Sequence, residues 1–211
     1  MKNRKIVLFI ILTVFITVCL TTFSQEKKKV PIPTLYNTGV DNNKMPLADG
    51  ETDEHYLLAV SADNNFRGPV TKVVYSEGFP IGPWINNDNA SKWIAPRADA
   101  GEFNSAGIYV YTITFSLHEF KYKTAEIRGY WTTDNNGVDI MLNNKSMGYE
   151  TAYNSFAFGF FPFEIKEGFT EGFNTISFVV YNGEAPTGLR VVIYGEAEPK
   201  EFADLSNIKI Q

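Results

Sequence analysis

The sequence predicts an all-β domain built as an antiparallel sandwich of two sheets. Short runs of β-branched and aromatic residues recur along the chain, separated by clusters of Gly, Asn, Asp and Pro at the spacing typical of a sandwich. No stretch shows helical periodicity over as many as about twelve residues, the length of an ordinary helix. Eight short runs without a long helix indicate two packed sheets.

The clearest strand runs from Gly107 to Leu117, where apolar residues at odd positions alternate with a second set at even positions. Successive side chains of a strand point to opposite faces, so we expect the odd-numbered residues to face the core. The other predicted strands are His55 to Val60, Thr71 to Tyr75, Thr124 to Thr132, Gly137 to Leu142, Ser155 to Phe163, Thr175 to Tyr181 and Gly188 to Tyr194.

Several side chains can be assigned from their place on these strands. Trp131 is in register with Ile127, which favours a core position over a ligand platform. Phe156, Phe158 and Phe160 alternate along one strand and could line a groove, but this spacing favours a packed sheet face. Asn143 and Asn144 tolerate positive φ, so they predict a tight hairpin.

The start of the chain has the pattern of an export signal. Basic residues at Lys2, Arg4 and Lys5 precede an apolar run from Ile6 to Leu20, and we expect cleavage before Gln25. An uncleaved anchor is the alternative. A lipid-modified Cys19 is disfavoured, because that processing prefers a small residue where Val18 stands.

These features predict one domain in an exported protein. The predicted units are a signal peptide at 1–24, a Lys- and Pro-bearing linker at 25–34, a sandwich at 35–196 and a tail at 197–211 with a weak strand from Asn207 to Ile210. Loss of the leader removes the only cysteine and changes the formal charge from −5 to −8. So acidic a chain repels phosphate backbones, which disfavours nucleic acid as a partner.

The segment from Ser76 to Asn104 departs from the strand pattern, because prolines interrupt it and polar residues cluster inside it. A loop of this length in a compact domain often carries a function. Sugar binding needs flat aromatic faces together with planar amides and charged groups. The candidate ligand-binding residues are Trp84, Asn86, Asn87, Asp88, Trp93 and Arg97 of this loop, and Arg190 of the last strand.

The two tryptophans and Arg190 each have a structural alternative. The two tryptophans can instead fold back as a plug over the sandwich, because large aromatic side chains bury well even when a loop carries them. Arg190 points away from the face that Leu189 and Val191 bury, so it can grip a ligand or pair with a neighbouring carboxylate.

A resemblance to a known family adds to this interpretation. The stretches WTTDNNGVDIMLNNKSMG and EGFNTISFVVYNGEAPTGLRVVIYG resemble galactose-binding-like jelly-roll domains, which occur in carbohydrate-binding modules. With TGVDNNKMPLADGETDEHY and FPIGPWINNDNASKWIAP they are similar to an exported module of bacterial surface proteins, some of which carry PEP-CTERM sorting tails. Two departures are Asn144, where Gly is usual, and the lack of a sorting tail after Glu196.

The resemblance implies a jelly-roll fold and a habit of binding sugars or surfaces, although fold alone does not fix function. Related modules often hold a structural calcium, for which Asp41, Asp49, Asp53 and Asp134 are candidate ligands by resemblance only. Turn chemistry is the favoured explanation of the same carboxylates, and their spacing fails the EF-hand pattern.

Known catalytic motifs are missing from the sequence. His55 and His118 lack the neighbours that a zinc site needs, and no Gly-x-Ser-x-Gly or phosphate-binding glycine loop occurs. We therefore expect a non-catalytic module, secreted, periplasmic or on the cell surface, that binds a glycan or a cell-surface or matrix component. The alternatives are a structural or adhesive surface protein that contacts other proteins, and a hydrolase whose paired carboxylates leave no local signature.

Overall fold

A computed structural model describes residues 28–201 and shows an antiparallel jelly-roll β-sandwich. The predicted leader and the weak strand expected from Asn207 to Ile210 lie outside these residues. The strands are β1 (Val30–Pro31), β2 (Thr52–Asp53), β3 (Tyr56–Val60), β4 (Thr71–Val73), β5 (Ile94–Ala95), β6 (Gly107–Ser116), β7 (Glu126–Asp134), β8 (Asn136–Leu142), β9 (Lys145–Ser146), β10 (Phe161–Ile165), β11 (Phe173–Asn182) and β12 (Gly188–Ala197). Two short 3₁₀ turns span Tyr122–Thr124 and Ser155–Ala157.

The strands form two sheets. The seven-stranded sheet has the order β10-β7-β12-β5-β4-β2, with β1 also paired to β12. The five-stranded sheet has the order β3-β6-β11-β8-β9. Consecutive strands such as β6 and β7 lie in different sheets, so the chain crosses repeatedly between the two layers and encloses one core.

The centre of the core follows from the alternation of β6. Its odd-numbered residues Tyr109, Tyr111, Ile113 and Phe115 are buried, while the even-numbered ones point outward, as predicted. The neighbouring β11 runs antiparallel over ten residues, with Ile113 opposite Ile176 and Tyr111 opposite Phe178. Aromatic and branched pairs on one face stabilise a sheet, so these two strands form its central pair.

Trp131 of β7 lies in the centre of this core, as the sequence predicts. Its ring centroid is 5.7 Å from that of Phe178 on the opposite sheet. The ring rests on Gly137, where an added Cβ would come within 2.1 Å of the indole, so only glycine leaves room for it. Trp131 therefore joins the two layers of the sandwich.

The sandwich extends further at both ends than the sequence predicts. Val30 and Pro31, placed in the linker at 25–34, pair with Glu196 and Ala197 at the end of β12. Ile32 is buried in the same core, because its side chain packs with the core cluster that includes Ala197. Both ends of the described chain therefore lie at one end of the sandwich, where Lys121 also pairs with Glu198 at 3.0 Å.

Seven of the eight predicted strands match observed strands, with small shifts at their ends. The prediction from Ser155 to Phe163 is wrong over most of its length, because Ser155–Ala157 forms a 3₁₀ turn and a strand begins only at Phe161. Phe156, Phe158 and Phe160 consequently do not share a sheet face. The predicted hairpin is confirmed, with Asn143 and Asn144 at φ of 50° and 66°.

No helix among residues 28–201 is long and apolar enough to cross a membrane.

Candidate functional site

The long loop from Ser76 to Asn104 folds over a small apolar cluster of its own, which we call the loop core. Its buried members are Val74, Trp84, Trp93, Ala95 and Ala100. The two indole rings pack against each other with their centroids 4.2 Å apart. Ile81, Ile85 and Phe156 complete the cluster from its edge. The loop is thus a folded layer with an apolar cluster of its own, separate from the sandwich core.

Trp84 joins the loop core to the seven-stranded sheet. Its Nε1 donates a hydrogen bond of 2.7 Å to Oδ2 of Asp134 at the end of β7. The ring lies over Gly188 at the start of β12, where an added Cβ would meet the indole at 2.7 Å. The other Oδ1 of Asp134 is buried without a hydrogen-bond partner. Burial raises the pKa of Asp134 to about 7, against the opposing effect of the Trp84 hydrogen bond.

Polar side chains inside the loop fix its path. Asn87 accepts from the Trp93 backbone at 2.7 Å, and its amide nitrogen donates to the Val74 carbonyl at 3.3 Å. The buried Arg190 forms an ion pair with Asp88 at 2.7 Å and donates to the carbonyl of Asn86. Burial lowers the pKa of Arg190, and the nearby Asp88 opposes this effect. The Asn87 bonds hold the loop to itself and to Val74, and the Arg190 contacts cross-link the loop to β12.

These contacts settle how the structure uses most of the predicted ligand-binding residues. Trp84 and Trp93 are corrected: neither offers a face to a sugar, because both rings are buried in the loop core, which is separate from the sandwich core. Arg190 is also corrected, because its guanidinium is buried and paired with Asp88. Asn87 is half-buried and bonded within the loop.

The other three predicted residues lie closer to solvent. Asn86 and Asp88 are exposed, and Arg97 is half-buried at the far end of the loop. Arg97 donates two hydrogen bonds, of 2.5 and 2.6 Å, to the carboxylate of Asp99. Its guanidinium carbon also lies 4.8 Å from the centre of the Phe66 ring.

The outer surface of the loop carries a groove of about 210 Å³, which we call the loop groove. Its walls are Val74, Tyr75, Phe79, Pro80, Ala98, Asp99, Gly101 and Glu102. Two wall aromatics are strongly exposed, Tyr75 by 49% and Phe79 by 63%, and Phe103 next to Glu102 is exposed by 59%. The groove therefore presents open aromatic surface on a base that the buried tryptophans hold in place.

Gly101 sets the shape of the loop groove. A Cβ at this position would lie 2.6 Å from the carbonyl oxygen of Phe79 and 2.9 Å from its ring. Only glycine allows the two sides of the loop to approach so closely. The position of the exposed Phe79 thus depends on a residue more than twenty positions away in the sequence.

Charged groups line one side of the loop groove. A hydrogen bond from Arg97 lowers the pKa of Asp99 and outweighs the small effect of burial, so this carboxylate stays ionised at neutral pH. At the start of the loop, Asp49 accepts hydrogen bonds from the backbone and hydroxyl of Ser76 at 2.6 and 2.8 Å. Lys92 pairs with the same carboxylate at 2.9 Å. These contacts anchor the loop beside Tyr75.

The sequence contained a signal for the residues that were missed. Tyr75 and Phe103 border the non-strand segment, and Phe79 stands between Gly78 and Pro80. Phe79 and Phe103 fall outside any period-two pattern, and Tyr75 is the last residue of a predicted strand, so the pattern assigns none of the three to a binding surface. The larger ring of tryptophan favours it as a sugar platform, but a larger ring also gains more free energy from burial.

The predicted calcium ligands serve as local hydrogen-bond acceptors. Asp41 accepts from the backbone of Asn43 and Met45 at 2.8 Å each, and Asp53 accepts from the backbone of Gly39 at 2.7 Å. Asp49 and Asp134 hold the partners described above. Within residues 28–201 no group of three or more His, Cys, Asp or Glu side chains could hold a metal ion, so the structure does not assemble this ligand set.

A second groove, of about 340 Å³, has Thr52 of the strand β2 in its wall. Its walls are Val40, Asp41, Asn42, Leu47, Glu51, Thr52, Glu54 and His55. The imidazole of His55 is stacked on Tyr36 at 3.6 Å, so one of its faces is covered. Because this larger groove lacks an exposed Phe, Tyr or Trp among its wall residues, it offers carboxylates without the flat surface that a sugar ring requires.

No protein-family model matches the chain, and no curated protein matches it. One solved structure that it resembles is CBM35 from Paenibacillus barcinonensis, at 13% identity and a TM-score of 0.35, covering 68% of this chain and 98% of that one.

Proposed function

We propose that this protein is an exported, non-catalytic binding module that holds carbohydrate in the loop groove. One observation carries the proposal: Tyr75 and Phe79 stand exposed on the walls of a groove that also presents Asp99 and Glu102. An aromatic face packs against the apolar side of a sugar ring, while carboxylates accept hydrogen bonds from its hydroxyls. The groove combines both requirements on a rigid base.

The dimensions of the groove indicate how much of a glycan it holds. Its volume of about 210 Å³ is below the roughly 300–1,000 Å³ of pockets that enclose drug-sized ligands. An open groove of this size suits one ring of a longer chain, with the neighbouring rings in solvent. Affinity for such a short contact is expected to be weak, in the range of about 0.1–1 mM.

The pKa values of the carboxyl groups support binding without catalysis. Glycoside hydrolysis needs one carboxylic acid with a raised pKa that can reach the scissile bond. Among the described residues, the carboxyl groups whose pKa is raised are Asp53 and Asp134, and both are buried. In the groove itself Arg97 lowers the pKa of Asp99. Asp99 is therefore suited to accept hydrogen bonds from a ligand and not to protonate it.

Export is part of the same proposal. It is supported by the basic start at Lys2, Arg4 and Lys5 and the apolar run that follows. A secreted, periplasmic or surface-displayed module meets glycans of matrix and cell surface, and its acidic charge opposes binding to nucleic acid.

The test is a glycan array followed by titration of each hit against variants of the groove. Phe79→Ala and Tyr75→Ala remove the aromatic walls, and Glu102→Gln removes a charge while keeping the shape. We expect each aromatic variant to weaken binding at least tenfold with an unchanged melting temperature, since both side chains are exposed. Phe173→Ala is the matched control, because Phe173 is 69% exposed and lies on β11 outside the groove.

Two results would contradict the proposal: no glycan bound by the intact chain, or equal weakening by Phe79→Ala and Phe173→Ala. Binding that survives both wall variants but fails after substitution in the second groove, for example Glu54→Gln, would place the sugar at the second groove instead.

A structural or adhesive role is the second candidate. The observation that favours it is the outer face of the five-stranded sheet, where Leu57, Ile108 and Tyr181 are exposed. A protein contact there would leave the loop groove open.

A further inference from the structure

One buried carboxylate lies between the seven-stranded sheet and the loop core. Even-numbered residues of β7 point outward, and Arg128 and Tyr130 are exposed there. Asp134 lies on the same face but is only 4% exposed, because the loop core packs over this end of the strand. Asp134 is not a wall residue of the loop groove. Its side chain has one hydrogen-bond partner among the described residues, Trp84, so any effect on the groove must pass through that ring.

Trp84 is also bonded to the groove wall that carries Phe79. Its backbone nitrogen donates to the carbonyl of Pro80 at 3.0 Å, and its own carbonyl accepts from the nitrogen of Gly82 at 3.3 Å. These two bonds close the chain from Pro80 to Trp84 into a tight turn, and Phe79 directly precedes that turn. A shift of the Trp84 ring therefore moves the turn and the exposed Phe79 ring together.

The wall that carries Tyr75 rests on the same apolar cluster. Val74 belongs both to the loop core and to the wall of the loop groove. Its backbone nitrogen donates to the carbonyl of Trp93 at 2.9 Å, and the Trp93 ring packs against Trp84. The backbone nitrogen of Tyr75 donates to the carbonyl of Ala98, another wall residue, at 3.1 Å. Both aromatic walls are thus held by groups that contact Trp84 directly or through one neighbour.

We propose that Asp134 is a positioning residue for the loop groove: its hydrogen bond to Trp84 fixes the placement of the Tyr75 and Phe79 rings that hold the sugar. The inference rests on the proposed function and gives that site a requirement outside the groove. Aromatic groups that are held in place before the ligand arrives bind it more tightly, because ordering them on binding costs free energy. Loss of the buried hydrogen bond therefore weakens binding although no wall side chain has changed.

The feature of Asp134 that this role needs is an acceptor oxygen. Oδ2 accepts from Nε1 of Trp84 at 2.7 Å, whereas Oδ1 has no hydrogen-bond partner among the described residues. Asparagine keeps one oxygen that can accept the same bond, and alanine keeps none. On the other side of the contact, phenylalanine in place of Trp84 keeps an aromatic ring but has no N–H to donate. The two halves of the hydrogen bond can therefore be removed separately.

The test is an NMR titration of the intact chain and its variants with a glycan-array hit. Asp134→Ala and Trp84→Phe should each raise the dissociation constant at least about tenfold, and Asp134→Asn should keep it within about threefold of the intact chain. The double variant Asp134→Ala with Trp84→Phe should bind no more weakly than either single variant, because both changes remove the same bond. Additive losses would mean that the two residues act separately, which would overturn the proposal.

Asn174→Ala is the matched control for a loss of stability alone. Asn174 is 1% exposed near the start of β11, accepts from the backbone of Thr170 at 2.8 Å and is not a wall residue of the groove. Its removal should lower the melting temperature, as Asp134→Ala does, and leave the dissociation constant unchanged. Equal weakening of glycan binding by the two alanine variants would overturn the positioning role.

A measurement without ligand separates this inference from the proposed function. Hydrogen exchange of residues 74–101 reports whether the backbone bonds behind the groove walls are held, and we expect Asp134→Ala to lose protection there and Asp134→Asn to keep it. An intact chain that binds no glycan but shows this pattern would overturn the proposed function and support the positioning role. Equal glycan binding by the intact chain and Asp134→Ala, with unchanged protection, would overturn the positioning role alone.

Discussion

The sandwich core and the loop core both close around tryptophan rings, but they satisfy those rings differently. In the sandwich core, Trp131 is surrounded by apolar side chains and its Nε1 donates to no described atom. In the loop core, Trp84 donates to Asp134 and Trp93 donates to the carbonyl of Ile85 at 2.8 Å. The first core depends on repeated apolar contacts, whereas the second depends on a few individual hydrogen bonds.

This difference predicts different sensitivities. A core built from ten-residue strands distributes its stability over many side chains, so the loss of one polar contact matters little. A core of five buried residues makes few such contacts, so the ionisation of a single buried carboxylate can determine whether this core stays folded. The loop core should therefore respond to pH and to single substitutions that the sandwich core tolerates.

The largest expected effect comes from Trp84→Ala. The substitution empties the centre of the loop core and leaves the buried Asp134 without its donor, so the free energy of unfolding should fall by about 3–5 kcal/mol. Urea denaturation measures it, with Trp131→Ala as the equivalent change in the sandwich core. An unchanged unfolding midpoint for Trp84→Ala would show that the loop core does not unfold together with the sandwich.

The second effect is a pH dependence centred on Asp134. Burial raises its pKa in the folded protein to about 7, above the value of about 3.9 for an unfolded Asp, so folding favours the neutral acid. That stabilisation is complete below about pH 4 and is lost as the pH rises to about 7. Its size is on the order of a few kcal/mol.

The measurement for Asp134 is urea denaturation of the intact chain and of Asp134→Asn between pH 4 and 8. The asparagine keeps an oxygen that can accept from Trp84 and cannot ionise, so its stability should not fall through this range as that of the intact chain does. Parallel curves for the two proteins would show that the carboxyl group does not titrate between the folded and unfolded states in this window.

The third pair of variants compares the glycines beneath the two tryptophans. Gly137→Ala and Gly188→Ala add a methyl group at 2.1 Å from Trp131 and 2.7 Å from Trp84 respectively. Overpacking costs about 1–3 kcal/mol, and the closer contact should cost more. Thermal unfolding is the measurement. A greater loss for Gly188→Ala would mean that the sandwich core relaxes more easily than the loop core.

The smallest effect on stability is expected for Phe79→Ala, since this ring is mostly exposed on the wall of the loop groove. Its free energy of unfolding should stay within about 0.5 kcal/mol of the intact chain. The same urea denaturation measures it beside Trp84→Ala. A loss of several kcal/mol would show that Phe79 belongs to the loop core and not to a binding surface.

The sandwich could be predicted because the spacing of apolar residues along each strand indicates which side chains are buried. Tyr109, Tyr111 and Phe115 follow a period of two, and that spacing has one physical meaning on a pleated strand. The same rule failed for Phe156, Phe158 and Phe160. Their spacing imitates a strand, but the chain turns at Ser155 and binds that hydroxyl to the backbone of Thr133 at 2.9 Å.

The sequence predicts the segment that carries most of the loop groove, but not the aromatic side chains on the groove walls. The prolines and polar clusters identify the segment from Ser76 to Asn104, whereas the direction of each ring depends on distant residues. Trp84 turns inward because Asp134 and Gly188 receive it, and Phe79 lies at the groove because Gly101 lets the loop close. Such contacts carry no local pattern.

The pairing of β1 with the last residues of β12 has a consequence for how the molecule is presented. The chain enters and leaves the sandwich beside Val30 and Ala197, while the loop core packs on Gly188 at the opposite end of the same strand. Ten residues of β12 separate the two ends by about 30 Å. A cell envelope or another domain joined through either terminus would attach at the end of β12 near Ala197. The loop groove, near the other end, would then face away from that attachment.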